Sequence, residues 1–387
     1  MLQRILFQAL LLCAPTLYAE TDVTAKPDTV QIPAIATALR QSSPPPLSPE
    51  IHRDHTITFR LYAPAATVVY LSGDWDDKPR NLTKNTDGLW SLTLEPLAAG
   101  TYAYTFHLDD LALADPGNPA LKPMRTPNTS ILLIPGPTAV PIEYRPSIAH
   151  GTVHLHDYAS QALGITRRLR VYTPPDYDAT AKRRYPILYL LHGAGDNEAT
   201  WTEFGRAHLI LDNLIADGKA QPMIMVMTDG HALVNHSTET RAKNVTAFEQ
   251  DLLGDVLPLV ETRYRVLADR EHRAIAGLSM GGNQALLIGL NHRDRFAWIA
   301  GMSSAVREPK QPLTSFWASP VSTKYPLRLL WMKIGRDDFL LLENRRFTAM
   351  LDEKKVPHEY SESEGGHTWH IWRAYFAELA PKLFRTH

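Results

Sequence analysis

Residues 274–288 of the chain read AIAGLSMGGNQALLI. A short apolar run leads into the pentapeptide Gly277-Leu278-Ser279-Met280-Gly281, and an apolar segment of helical character follows it. This order of strand, G-x-S-x-G and helix is typical of a nucleophile elbow, a sharp turn that projects a serine hydroxyl from a sheet while backbone N–H groups gather around it. The sequence therefore predicts that Ser279 is a nucleophile.

The segments on either side of the elbow fit the same kind of site. Residues 185–191 (YPILYLL) read as a buried parallel strand, and they run into His192-Gly193-Ala194-Gly195, a loop of the kind that supplies an oxyanion donor. Downstream, the apolar run 327–334 ends in Gly335-Arg336-Asp337-Asp338, and Gly365-Gly366-His367 follows later. Serine, aspartate and histidine therefore occur in the chain order expected of α/β-hydrolases.

A serine hydroxyl requires a base that takes its proton and later returns it to the leaving group. We expect His367 to be that base, because two glycines before it allow a loop to carry it over the sheet. The third group is a carboxylate at the end of a strand, where it stabilises the imidazolium. Asp338 is preferred because the apolar segment after it docks the turn, and Asp337 remains the alternative.

A tetrahedral oxyanion requires preorganised N–H donors. The sequence predicts the backbone N–H of Met280, directly after the nucleophile, and that of Ala194 in the glycine-rich loop. His192 is expected to shape this loop by hydrogen bonding and not to act as a second base.

The composition limits the classes of function. The chain has 387 residues, of which 44% are hydrophobic and 21% are charged, and its formal net charge is −1. A near-neutral chain offers no basic field for nucleic acid. The single cysteine, Cys13, lies in the N-terminal apolar stretch, so cysteine chemistry is not expected. His154 and His156 share one face of a strand without a third ligand nearby, and neither a metal nor another cofactor is predicted.

The N-terminal residues have the pattern of an export signal. Arg4 precedes an apolar stretch up to Leu17, which is too short to span a bilayer and predicts a signal peptide over 1–19. The mature protein is then expected in the periplasm or outside the cell. Residues 20–50 are polar and proline-rich, and they predict a disordered leader.

Two folded domains are predicted after the leader. Residues 51–135 contain short alternating segments separated by turn residues, which indicate a small immunoglobulin-like β-sandwich, and residues 136–150 read as a linker. Residues 151–387 alternate strands with helices, which predicts an α/β-hydrolase domain with a mostly parallel central sheet and no membrane span.

The motifs around 192–197, 277–282 and 365–369, with Trp201 and Gly205-Arg206-Ala207, resemble those of the esterase D-like carbohydrate esterases. That family includes feruloyl and acetyl xylan esterases, with enterochelin esterases as relatives. The likeness spans roughly 151–384 and implies ester cleavage through an acyl-enzyme, with Ser279, Asp338 and His367 as the triad. The sandwich resembles early-set, isoamylase-type modules through residues 59–66 and 71–75.

The resulting prediction is an exported serine esterase that acts on feruloyl or acetyl esters of plant polysaccharide or oligosaccharide. A siderophore ester hydrolase or acyltransferase is one alternative, and an inactive carbohydrate-binding protein is another. Trp201, Arg206 and Trp369 are candidate substrate contacts. Further aromatic residues near the predicted loops are available for an apolar acyl slot: Phe204, Trp317 and Phe339. Trp75 and Trp90 of the sandwich can stack on sugars, although a core position is favoured for both.

Overall fold

The computed structural model describes residues 46–137, 140, 142–177, 182–233, 238–307, 313–322 and 324–385. The predicted signal peptide and the leader up to residue 45 lie outside this part of the chain. The strands are β1 (Glu50–Ile51), β2 (Ile57–Tyr62), β3 (Val69–Gly73), β4 (Asp76–Asn81), β5 (Thr83–Lys84), β6 (Leu89–Leu94), β7 (Gly100–Leu108), β8 (Leu111–Leu113), β9 (Ser130–Ile134), β10 (Thr152–Ser160), β11 (Ile165–Thr173), β12 (Ile187–Leu191), β13 (Ile224–Thr228), β14 (Arg273–Leu278), β15 (Trp298–Met302), β16 (Leu329–Gly335) and β17 (Glu359–Ser363).

Within the residues that the structure describes, the α-helices follow the first twelve strands. They are α1 (Thr200–Glu203), α2 (Ala207–Ala216), α3 (Thr238–Asp251), α4 (Leu257–Arg263), α5 (Ser279–Asn291), α6 (Thr314–Ala318), α7 (Leu341–Glu353) and α8 (Trp369–Leu379). A π-helical turn, Leu252–Val256, joins α3 to α4. Residues 238–263 therefore form one helical stretch that the π-helical turn interrupts.

The N-terminal strands form two antiparallel sheets that pack face to face. One sheet has the order β1-β2-β6-β5, and the other has the order β4-β3-β7-β8 with β9 paired to β7. Alternate residues of β2, namely Ile57, Phe59 and Leu61, point into the shared core, as the period of two along a strand requires. Trp90 is buried there and its indole N–H donates to the carbonyl of Ala63.

The C-terminal part of the described chain contains an eight-stranded sheet in the order β10-β11-β13-β12-β14-β15-β16-β17. Strands β12 to β17 pair in parallel, whereas β10 with β11 and β11 with β13 pair antiparallel. The α/β class is confirmed, but the central sheet is mixed. The reason is the β10–β11 hairpin, which adds two strands at one edge without a helical crossover.

Two hydrophobic cores cover the two faces of this sheet. On β12, Ile187, Tyr189 and Leu191 face one core, and Leu188 and Leu190 face the other. Helices α3, α4, α5 and α7 pack on the first face, and α2 and α8 pack on the second. Since both faces are covered, strands β12 to β15 are buried along their whole length, and the carboxyl ends of the parallel strands are the free edge for a site.

Residues from 46 onward belong to one compact unit, so the sandwich and the larger sheet are in contact. Arg373 on α8 is buried and donates to the carbonyl of Thr101 on β7 at 3.0 Å. Ala103 also packs into the core that covers the second face of the large sheet. The domain boundaries predicted from the sequence stay a prediction. No helix in the described part of the chain is long and apolar enough to cross a membrane.

Candidate active site

Ser279 occupies a strained turn between β14 and α5. Its φ is +51°, a left-handed conformation that is costly for a residue with a Cβ. The flanking glycines permit close packing around it. A Cβ at Gly277 would lie 2.4 Å from the carbonyl carbon of Gly281, and a Cβ at Gly281 would lie 2.4 Å from the carbonyl oxygen of His192. A side chain at either position would clash with the backbone, so this turn requires glycine at both positions.

A chain of hydrogen bonds joins Ser279 to two residues from distant segments. The Oγ of Ser279 lies 3.0 Å from Nε2 of His367, and Nδ1 of His367 lies 2.8 Å from Oδ2 of Asp338. Because a carboxylate accepts, Nδ1 carries the proton and Nε2 is free to accept from the serine hydroxyl. This arrangement can move a proton from Ser279 to His367.

The two candidate aspartates have different surroundings. The carboxylate of Asp338 is fully buried, and its Oδ1 accepts from the N–H of Leu340 at 2.9 Å. Asp337 is exposed, and its N–H donates to the carbonyl of Gly365 at 3.1 Å. The geometry therefore brings Asp338 to the imidazole, whereas the backbone of Asp337 holds the loop that carries His367.

The two predicted oxyanion donors belong to the first turn of α5 and to the loop after β12. Met280 is the second residue of α5, so its N–H belongs to the first turn, which has no intrahelical acceptor. Gly193 faces the serine, since a Cβ added there would lie 3.6 Å from the Cβ of Ser279. Ala194 follows Gly193 and is exposed, and Gly195 turns the loop with a φ of +89°. An oxygen bound between these N–H groups would be stabilised as negative charge develops on it.

His192 is buried beneath this loop. Its Nδ1 lies 2.8 Å from the carbonyl oxygen of Gly193, and the N–H of Gly230 donates to its Nε2 at 2.8 Å. Both ring nitrogens are therefore occupied by backbone groups, which gives His192 a role in shaping the loop.

A further buried network supports residues 229–233, the loop after β13, and sequence reasoning missed it. The amide of Asn244 accepts from the N–H of Ala232 and donates to the carbonyl of Gly230, both at 2.9 Å. Arg167 donates to the carbonyl of His231 at 3.0 Å and pairs with the buried Asp251. These residues lie far apart in sequence, and no local motif signals them.

The aromatic residues predicted as substrate contacts differ in how much of each side chain is exposed to solvent. Trp201 and Trp369 are 0% and 3% exposed, and their rings pack against each other with centroids 4.9 Å apart. A buried side chain is not available to a ligand, so the predicted substrate contact is not supported for either tryptophan. Arg206 is half-buried at the start of α2, and its role stays a prediction.

Phe339 differs from these tryptophans. It is 67% exposed, although its ring centroid lies 4.5 Å from that of His367. An exposed aromatic ring beside the imidazole presents an apolar surface at the mouth of the site.

The two histidines considered for a metal have other partners. His154 lies 3.2 Å from the hydroxyl of Thr173, His156 contacts the hydroxyl of Tyr264, and burial lowers the pKa of both imidazoles. Among the residues that the structure describes, no group of three or more His, Cys, Asp and Glu side chains could hold a metal ion.

Two family models match the chain. The model described as "Putative esterase" matches residues 160–383, which is more than half of the chain. The model described as carbohydrate-binding module 48, the isoamylase N-terminal domain, matches residues 46–120.

Individual relatives agree with these matches. An endo-1,4-beta-xylanase/feruloyl esterase of Xylanibacter ruminicola is 31% identical over 346 residues, which cover 87% of this chain and 46% of the relative. The chain spans about half or less of the length of the first curated relatives that it matches.

Solved structures show the same likeness. A ferulic acid esterase is 27% identical, with a TM-score of 0.53 over 62% of this chain and 99% of that protein. The enterobactin esterase of Shigella flexneri is 22% identical, with a TM-score of 0.64 over 90% of this chain and 99% of that protein, and this second likeness concerns the fold alone.

Proposed function

The chain belongs to this esterase family, and on that premise we propose that it is a carboxylic ester hydrolase that removes feruloyl or acetyl groups from plant polysaccharides or oligosaccharides through an acyl-enzyme. Ser279 is the nucleophile, His367 the general base and acid, and Asp338 the residue that orients the imidazole. Met280 and Ala194 supply the oxyanion donors.

The hydrogen-bonded chain from Ser279 through His367 to the buried Asp338 carries this proposal. The nucleophile is held at a strained turn, its base is at 3.0 Å, and the base is oriented by a carboxylate at 2.8 Å. That set of roles is the requirement for nucleophilic attack by a serine at neutral pH.

Acylation begins when Ser279 attacks the ester carbonyl carbon and its proton passes to Nε2 of His367. The resulting oxyanion is bound by the N–H groups of Met280 and Ala194, and each such donor contributes about 3 kcal/mol to lowering the barrier. Collapse breaks the carbonyl–alkoxy bond, and His367 gives the proton to the departing alkoxide oxygen of the sugar, which leaves as a hydroxyl group. The product is an ester between Ser279 and the acid.

Deacylation repeats the steps with water. His367 takes a proton from a water molecule, which attacks the acyl-enzyme carbonyl, and the proton is then given back to Oγ of Ser279. Asp338 stabilises the imidazolium in both halves of the reaction. The free acid leaves and the hydroxyl is restored.

The exposed Phe339 supports an aromatic acyl group. Its ring lies beside His367, where the ring of a bound ferulate can pack against it without displacing core side chains. The likeness to a feruloyl esterase relative and to a ferulic acid esterase structure points in the same direction.

The test is a comparison of kcat/KM for methyl ferulate, acetylated xylan and enterobactin. We expect methyl ferulate or acetylated xylan to be the best substrate, and we expect Ser279→Ala to lower its turnover by about 10⁴-fold or more. Incubation with p-nitrophenyl acetate should add an acetyl mass to the peptide that contains Ser279. Turnover no higher than that of the Ser279→Ala variant on every ester would instead favour a carbohydrate-binding protein without activity.

Hydrolysis of a siderophore ester is a second candidate. The fold likeness to the Shigella flexneri enterobactin esterase extends over 90% of the chain and so includes the sandwich. A kcat/KM for enterobactin above those of both carbohydrate esters would select this alternative.

Export of the protein is part of the proposal. The N-terminal apolar stretch before Glu20 supports it. Protein recovered from the periplasm or the medium should begin at Glu20, and recovery of a chain that still begins at Met1 from the cytoplasm would contradict export.

A further inference from the structure

A short segment that follows the sandwich strand β8 contacts the loop beside the nucleophile. The N–H of Arg125 donates to the carbonyl of Gly195 at 2.9 Å, and the hydroxyl of Thr200 donates to the carbonyl of Pro123 at 2.8 Å. The segment is tied back to the sandwich, because the N–H of Lys122 donates to the carbonyl of Thr129 at 2.9 Å. The loop after β12 is thus held by hydrogen bonds from a segment that does not belong to the large sheet.

Lys122 makes the central contact between this segment and the loop. Its Nζ lies 2.8 Å from Oδ1 of Asp196, and the two side chains are 10% and 5% exposed. The ammonium also lies 5.3 Å from the ring centroid of Phe204 and 5.7 Å from that of Trp369. A cation held by a carboxylate and two aromatic faces has little freedom to move.

Asp196 connects this pair to the catalytic groups. A Cβ at Gly193 would lie 3.5 Å from Oδ2 of Asp196 and 3.6 Å from the Cβ of Ser279. The N–H of Asp196 donates to the carbonyl of Gly193 at 3.2 Å, which closes a turn around Ala194. The Asp196 carboxylate and the N–H of Ala194 therefore belong to one short turn beside Ser279.

We propose that Lys122 is a positioning residue for ester hydrolysis, which fixes the oxyanion loop through its ion pair with Asp196. The inference rests on the proposed function, because it assigns Ala194 as a donor. It makes the region that follows the sandwich a working part of the esterase site and not only an attached binding module.

Stability alone does not account for such a pair. Taking two charges out of water costs about as much as their attraction returns, and apolar replacements of both are often neutral for stability. A misplacement of about 1 Å at a catalytic group, in contrast, lowers the rate by about 100-fold.

The experiment uses the full chain and three variants: Lys122→Met, Asp196→Asn and the double variant. Each is measured for Tm, for kcat and KM with p-nitrophenyl acetate, and for the Ki of phenylboronic acid, whose adduct with Ser279 places a hydroxyl in the oxyanion site. The single variants leave one buried charge unpaired, so we expect them to lose stability. The double variant has no unpaired charge, and we expect it to recover the Tm.

The double variant decides the question. Positioning predicts that its kcat stays about 10- to 100-fold below that of the unaltered protein, with KM changed less than about threefold and Ki raised in parallel with the loss in kcat. If kcat and Ki return to their original values together with Tm, the pair has a structural role only and the inference is wrong.

Arg273 and Glu261 provide the matched control. They form an ion pair at the opposite end of the sheet, with side chains 3% and 26% exposed. Arg273 also donates to the carbonyls of Arg295 and Ala268, so Arg273→Met with Glu261→Gln should lower Tm while leaving kcat and Ki unaltered. Ser279→Ala tests the proposed function separately: if it remains active, the assignment of the nucleophile fails, whatever the Lys122 variants show.

Discussion

Two histidine–aspartate pairs of equal length lie at opposite ends of β14. At the amino end, Nδ1 of His272 lies 2.8 Å from Oδ2 of Asp269, and the side chains are 42% and 56% exposed. Beyond the carboxyl end, Nδ1 of His367 lies 2.8 Å from Oδ2 of Asp338, with 18% and 0% exposed. The distance is the same, so it does not distinguish a catalytic pair from a structural one.

The surroundings make the difference. Asp269 precedes a 3₁₀ turn and caps it, and its partner is three residues away, so the pair is a local surface contact of small energetic value. Asp338 and His367 come from separate loops, and the free nitrogen of His367 meets a serine. A pair becomes useful for catalysis when burial fixes the carboxylate and a third group uses the imidazole.

The largest expected effect is on kcat, and it comes from removing the histidine of each pair in turn. His367→Ala should lower kcat for p-nitrophenyl acetate by about 10⁴-fold, because the serine loses its base. His272→Ala should leave kcat within about twofold of the original value. Steady-state kinetics on both purified variants measure this, and equal losses would mean that the position at the carboxyl end carries no special role.

The next effect distinguishes the two neighbouring carboxylates. Asp338→Asn should lower kcat by about 10³- to 10⁴-fold, since an amide favours the wrong tautomer of the imidazole. Asp337→Asn should cost less than about threefold, because its contact with the His367 loop is made by the backbone. The same kinetic assay decides, and a large loss in Asp337→Asn with full activity in Asp338→Asn would reverse the assignment.

A smaller effect concerns Phe339, on the exposed side of the His367–Asp338 pair. Phe339→Ala should raise KM for methyl ferulate by about 5- to 10-fold, because burial of an aromatic contact contributes about 1–1.5 kcal/mol. KM for p-nitrophenyl acetate should change less than about twofold. Phe339→Leu is the control that retains apolar area. An equal change for both esters would indicate that the ring positions His367 and does not contact the acyl group.

The smallest expected effect is on Tm, and it measures how much one surface ion pair contributes to stability. Arg345 donates to both carboxylate oxygens of Glu362 at 2.7 and 2.8 Å, and the hydrogen bonds from Arg345 lower the pKa of Glu362 to about 2. A lowered pKa in the folded state means that the contribution is complete above the ordinary value of 4.5 and is lost as the pH falls through about 2.

Glu362→Gln should therefore lower Tm by about 1–2 °C at neutral pH, and this difference should shrink between pH 4.5 and pH 2. Thermal melts of both proteins over that pH range measure it. A difference that grows as the solution is acidified would contradict the sign.

Local features of the sequence were sufficient for much of the site. The elbow at Ser279 is specified by glycines within two residues, and the preference for Asp338 over Asp337 follows from the apolar residues after it. The structure places Asp338 at the imidazole accordingly, while its catalytic role stays a prediction.

Features that depend on distant residues were not predictable in this way. The Lys122–Asp196 and Arg167–Asp251 pairs join segments with no shared local pattern. An apolar residue such as Trp201 is compatible with both a core position and a ligand-binding position. The two are distinguished by its exposure to solvent, which only the structure gives. The antiparallel pairing of the β10–β11 hairpin was not predicted, because the pattern of apolar and polar residues along a strand does not indicate the direction of its neighbour.

The contact of Arg373 with the carbonyl of Thr101 spans 272 positions of the chain. During synthesis, at about 5–20 residues per second, the ribosome requires roughly 15 to 55 s to reach the arginine after it has made the threonine. The sandwich therefore lacks this contact until α8 is synthesised, and α8 begins two residues after His367, the proposed base. Arg373 and His367 are therefore synthesised within a few residues of each other, and a chain that ends before residue 367 lacks both the contact with Thr101 and the proposed base.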